Sequence, residues 1–148
     1  MDLRDALLEG FEYDLWANRQ WLRDLGGFDE RMGEAQSILE HILSAQSVWL
    51  ERSGVGVVQS GENVALGELF ELHSRAWQAQ VADRPLDERI SYKTRSGDAY
   101  MNTMGQIARH VLNHGTYHRG QLRGLAQACA FEGFSETDFI RFLWEHGR

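Results

Sequence analysis

The chain has 148 residues, 43% hydrophobic and 25% charged, the composition of an ordinary globular protein that is long enough to bury a core and needs no second domain. A formal net charge of −7 with no cluster of Lys or Arg argues against a nucleic-acid surface, and no apolar run reaches the length of a membrane-spanning helix. One cysteine, Cys129, allows neither an internal disulfide nor a thiolate cluster, and the start of the chain carries no basic, apolar leader, so the expected compartment is the cytoplasm and any metal must be held by histidine, carboxylate or water.

Residues 3–25 predict a first helix with Leu7, Leu8, Phe11, Leu15, Leu22 and Leu25 on one stripe, Asp2 as its N-cap and Gly26 and Gly27 as its end. Tyr13 and Trp16 lie off that stripe. They make a second buried face, covered by another subunit or a loop, or serving as a pocket wall. The second helix, residues 35–52, repeats Ile38, His41, Ile42, Ala45, Val48 and Trp49 at helical spacing, which sets His41 among apolar side chains. Residues 53–67 carry four glycines and read as a loop, either a plain surface connection or the cover of a pocket mouth. A third helix, about residues 65–83, presents Leu66, Leu69, Phe70, Trp77 and Val81 on one side, has His73 near that stripe, and stops before Pro85. Between residues 87 and 103 the pattern alternates: Ile90, Tyr92 and Thr94 point one way, residues 96–98 supply turn chemistry, and Tyr100 with Met101 opens a second strand.

The fourth helix, residues 104–129, carries His110, His114 and His118 at every fourth position. At about 100° per residue, Ile107, His114, His118 and Leu125 fall within roughly 40° of one another, while His110 sits off the centre of that stripe. Two imidazoles at i, i+4 lie side by side and reach one divalent cation at about 2.0–2.1 Å. Core histidines with satisfied ring nitrogens would have the same spacing. An inward His41 as third ligand, with His73 as its rival, tips the balance towards a metal site. Gln121 projects within about 60° of His118 and either orients that ring or merely packs. Gly120 and Gly124 would admit a neighbouring backbone, and Arg119 and Arg123 point away from the histidine stripe. Cys129 lies about 16 Å beyond His118 along the axis, too far for a nucleophile at the same site. Ser135 as N-cap, with Asp138 three residues on, predicts a short last helix through Phe139, Phe142 and Leu143, with His146 exposed near its end.

Four long helices with a small hairpin make an all-α bundle, and bundles build metal sites from inward side chains of facing helices. Three neutral imidazoles leave a coordination position open, the pattern of catalytic sites. A metal held so lowers the pKa of bound water towards about 7 or deprotonates a coordinated thiol. Zinc or nickel suits imidazole best, with iron, manganese and copper also compatible.

The strings YDLWAN at 13–18, HIL at 41–43 and NHGTYHRGQL at 113–122 together resemble the DinB/YfiT superfamily of metal-binding four-helix bundles, over residues 5–143. The resemblance implies an up-down-down-up bundle with a β-hairpin before the fourth helix, and a homodimer. It also implies a metal triad of His41, His114 and His118 with water or substrate in the open position. His110 lies outside that ligand set, and Tyr13, Trp16 and Asn18 lie near the pocket. Relatives include S-transferases that use low-molecular-weight thiols such as bacillithiol or mycothiol, and a thiol-dependent maleylpyruvate isomerase. The implied function is metal-dependent activation of such a thiol, or of water as in a hydrolase, towards a small-molecule substrate. The alternative is a non-catalytic metal-binding stress-response dimer.

Overall fold

The computed structural model describes residues 1–26, 30–56 and 64–148. It is mostly helical: α1 (Leu3–Leu25), a 3-10 turn (Glu30–Met32), α2 (Ala35–Arg52), α3 (Leu66–Asp83), a hairpin of β1 (Arg89–Lys93) and β2 (Ala99–Thr103), α4 (Met104–Ala128) and α5 (Phe139–Glu145). Gly27 and residues 57–63 of the expected loop lie outside the described residues. Among the described residues no helix is long and apolar enough to cross a membrane.

Two capping boxes fix where the key helices begin. At α1, the Asp2 carboxylate accepts the Asp5 N–H at 2.9 Å while Asp5 accepts the Asp2 N–H at 3.4 Å. At α4, Thr103 Oγ1 accepts the Gln106 N–H at 3.2 Å and Gln106 Oε1 accepts the Thr103 N–H at 3.0 Å. Thr103 also ends β2, so the hairpin hands the chain directly to the histidine helix. β1 and β2 pair antiparallel with Tyr92 opposite Tyr100, and Gly97 at φ +91° takes the left-handed position the turn requires.

The long helices pack α1 on α3 and α4, and α2 on α3 and α4, with the hairpin against α4 and α2. Their buried faces are rotated from the expected stripes. In α1 the buried row is Leu7, Phe11, Asp14, Ala17, Asn18, Trp21 and Leu25; in α2 it is Ala35, Leu39, Ile42, Leu43, Gln46 and Leu50; in α4 it includes Ile107, Val111, Gly115, Arg119, Leu122 and Ala126. Polar residues stand in phase with apolar ones in all three. Apolar residues alone define a stripe displaced sideways from the buried face, and His41, expected in an apolar row, is exposed.

The polar positions form a layer. One apolar cluster gathers Phe11, Leu50, Trp77, Met104 and Val111; a second gathers Trp21, Leu39, Ile42, Phe70 and Leu122. Asp14, Asn18, Gln46 and Arg119, all at most 4% exposed, fall between them along α1, α2 and α4.

Two expectations need correction. The last helix begins at Phe139 with Asp138 as N-cap rather than at Ser135, and no side chain caps it; Ser135 instead donates its N–H to the Asp24 carboxylate, which anchors the segment to α1. Gly120 and Gly124 take no neighbouring backbone of the described residues, since a Cβ at either would meet none of their atoms within 4 Å. The close approaches are elsewhere: a Cβ on Gly105 would come within 3.2 Å of Leu86 O, and one on Gly115 would collide with the Asp14 carboxylate.

Candidate metal centre

His41 of α2 meets His114 and His118 of α4 at the rim of the polar layer. The Nε2 of His114 lies 3.2 Å from that of His41 and 3.0 Å from that of His118, and one ligand atom from each of the three rings lies within 4.8 Å of the others. Three nitrogens bound to one ion at about 2.0–2.1 Å sit about 2.8–3.0 Å apart in octahedral and about 3.3–3.4 Å apart in tetrahedral geometry. The donor spacing therefore fits a divalent cation. Side chains of three imidazoles with no carboxylate among them also match the donor preference of zinc and nickel.

The phase of α4 that creates this cluster comes from its neighbouring face. Gly115 and Arg119 each directly follow a histidine, and successive residues lie about 100° apart around the helix. Gly115 lies against the Asp14 carboxylate, and Arg119 Nη1 donates to Asp14 Oδ1 at 2.5 Å and to Asn18 Oδ1 at 2.9 Å. Docking those two positions on α1 turns His114 and His118 towards α2. Asp14 accepts further bonds from Gln46 Nε2 at 2.7 Å and Asn18 Nδ2 at 3.1 Å, so one carboxylate ties α1, α2 and α4 together. Apolar periodicity does not mark Asp14, Gln46 or Arg119; the signal in the sequence is one charge of each sign in the core rows of α1 and α4.

Electrostatics keeps the cluster ready for a cation. Burial, followed by the neighbouring rings of His118, His41 and His110, pushes His114 down to about 4, so its ring is neutral at pH 7. Desolvation and then His118 lower His41 as well. Gln121 Oε1 lies 2.5 Å from His118 Nδ1 and accepts the ring N–H there, which leaves the Nε2 lone pair facing the other two rings.

The remaining predicted residues have other partners. Tyr13 and Trp16 pack under the C-terminal segment: Tyr13 meets Phe139 and Phe142 edge-on at 5.2 and 5.8 Å, its hydroxyl donates to Thr137 O at 2.7 Å, and Trp16 lies 5.7 Å from Phe142. Asn18 is fully buried in the polar layer. His73, the rival third ligand, is 4% exposed, with a ring nitrogen bonded to the Leu43 backbone and Nδ1 unpartnered among the described residues, and it does not join the cluster. Burial lowers its pKa. His110 stands beside the cluster, its ring centroid 5.9 Å from that of His114. Cys129 donates its thiol to Arg31 O at 2.7 Å, and His146 is exposed.

Comparison with known proteins adds the lineage. The chain is 24% identical over 168 aligned positions to "Protein DinB" of Bacillus subtilis (strain 168), with 96% of each chain covered. No solved structure matches it. The DinB family model matches residues 5–128, a span that holds Asp14, His41, Arg119 and both histidines of the i, i+4 pair, and the chain accordingly belongs to the DinB family.

Proposed function

We propose that His41, His114 and His118 hold one divalent metal ion, zinc or nickel by donor preference, and that this protein is a metal-dependent enzyme of the thiol S-transferase type or, in its variant, a hydrolase. The observation that carries the reading is the convergence of three Nε2 atoms at 3.0 and 3.2 Å spacing on a face where His41 is exposed, so that a small molecule can reach the open side. When bound, such an ion supplies Lewis acidity to an incoming thiol or water, giving a nucleophile at neutral pH. The chain's own contribution is to hold three imidazoles together, with Gln121 fixing the His118 tautomer and the Asp14–Arg119 pair fixing the helix phase. We further propose an up-down-down-up arrangement of the four long helices, a homodimer and a cytoplasmic location; light scattering of the purified protein tests the dimer.

The test is elemental analysis of protein purified without added metal or a metal-chelating tag, beside His41→Ala and His118→Ala. About one ion per chain, lost in both variants, is the expected result. A metal-free wild type that takes up none on titration would sink it. Turnover is a separate question. A metal-loaded protein that conjugates no electrophile with any thiol of a broad panel, and hydrolyses nothing in a matching screen, would favour the non-catalytic metal-binding dimer.

A further inference from the structure

The row of rings continues past the three histidines along α2 and α4. His110 lies 5.1 Å from Trp49, Trp49 meets Tyr92 of β1 edge-on at 4.9 Å, and the Arg52 guanidinium carbon sits 4.6 Å over the Trp49 ring and 5.2 Å from that of Tyr92. Tyr92 is fixed from behind, its hydroxyl donating to Asn102 Oδ1 at 2.6 Å. Arg52 is half-buried, and among the described residues no carboxylate pairs with it, whereas Arg84, Arg119 and Arg123 each hold one.

Stacking orients a guanidinium without neutralising it. The planar group keeps its N–H edge free, and that edge matches a carboxylate bidentately. We propose that Trp49, Tyr92 and Arg52 form the recognition site for a carboxylate-bearing small molecule, whose anionic end lies on Arg52, whose apolar body lies along the rings and whose reactive end reaches the histidine centre. On α2, Arg52 follows His41 by 11 residues, about 16 Å of rise, part of which the Arg52 side chain covers by lying back over Trp49, so an extended molecule on the order of ten bonds long spans the ledge and the centre. The location of the reactive end rests on the metal-site reading; recognition of the anion does not.

The carboxylate belongs either to the thiol or to its electrophilic partner, and two matched pairs of probes separate these sources. One pair is 3-mercaptopropionate against 3-mercaptopropionamide, the other crotonate against crotonamide. Each is titrated into the whole protein as purified, by calorimetry and by the Trp49 indole resonance, assigned with Trp49→Phe. In at least one pair the acid binds about fivefold tighter than its amide, the size expected of one half-exposed ion pair. In Arg52→Gln that ratio falls to near one with metal content and melting temperature unchanged, and Arg52→Lys keeps part of it. Ratios near one in both pairs for the wild type, or a ratio kept in Arg52→Gln, overturn the proposal. A protein that takes up no metal yet shows the Arg52-dependent ratio retains the anion site and loses the metal reading. A protein that binds metal without the ratio does the reverse.

Discussion

Asp14 and Arg119, 105 residues apart in the chain, form an ion pair at 2.5 Å with side chains only 4% and 3% exposed. The pair sits one residue from His118 and against Gly115, so the contact that ties α1 to α4 also aims the histidines. Removing one partner of a buried pair leaves the other charged and unsolvated. Asp14→Ala should lower unfolding free energy by about 3–5 kcal/mol in urea titration and weaken metal uptake. A loss below about 1 kcal/mol would show that water reaches Arg119 and that the pair does not organise the core.

Two glycines of α4 should respond in opposite directions to the same change. Gly115→Ala drives a methyl into the paired Asp14 carboxylate, which cannot swing aside without breaking its bonds to Arg119 and Gln46. It should destabilise. Gly120→Ala meets nothing within 4 Å and gains helix propensity, so it should stabilise by up to about 1 kcal/mol. Equal thermal shifts in the two variants would contradict the geometry.

Gln121 should matter through His118 alone. Gln121→Leu removes the acceptor for the ring N–H and frees the other tautomer, which turns a hydrogen rather than a lone pair towards the cluster. Metal affinity measured by chelator competition should fall about 10–100-fold, and Gln121→Glu should restore it. An unchanged affinity in Gln121→Leu would make that contact incidental.

The metal-free protein should lose stability as pH falls from about 6.5 towards about 4. His114 and His73 have folded-state pKa values below the unfolded value of 6.5, so the unfolded chain binds protons that the folded chain refuses. Their contribution is complete above pH 6.5 and is lost on the way down. Glu88 and Glu136, paired with Arg84 and Arg123, are held below 4.5 and fade only in a lower window. Urea midpoints between pH 7.5 and 4.5, taken with a chelator present, should drop in the wild type and drop less in His73→Leu. Midpoints independent of pH across that range would refute the assignment.

Helices, hairpin and the histidine spacing were legible in the sequence because they rest on local rules: 3.6-residue periodicity, a capping aspartate at Asp2, a Ser-Gly-Asp turn, and two imidazoles four residues apart. The resemblance of three short strings pointed to His41 as their partner. Apolar periodicity alone could not find the polar layer, because Asp14, Gln46 and Arg119 occupy core positions while looking like surface residues. Their burial is favourable only when all of them meet, and that meeting joins three helices distant in sequence. The helix phases, the exposure of His41 and the seating of the Arg52 guanidinium over Trp49 follow from that packing, so only the tertiary structure decides them.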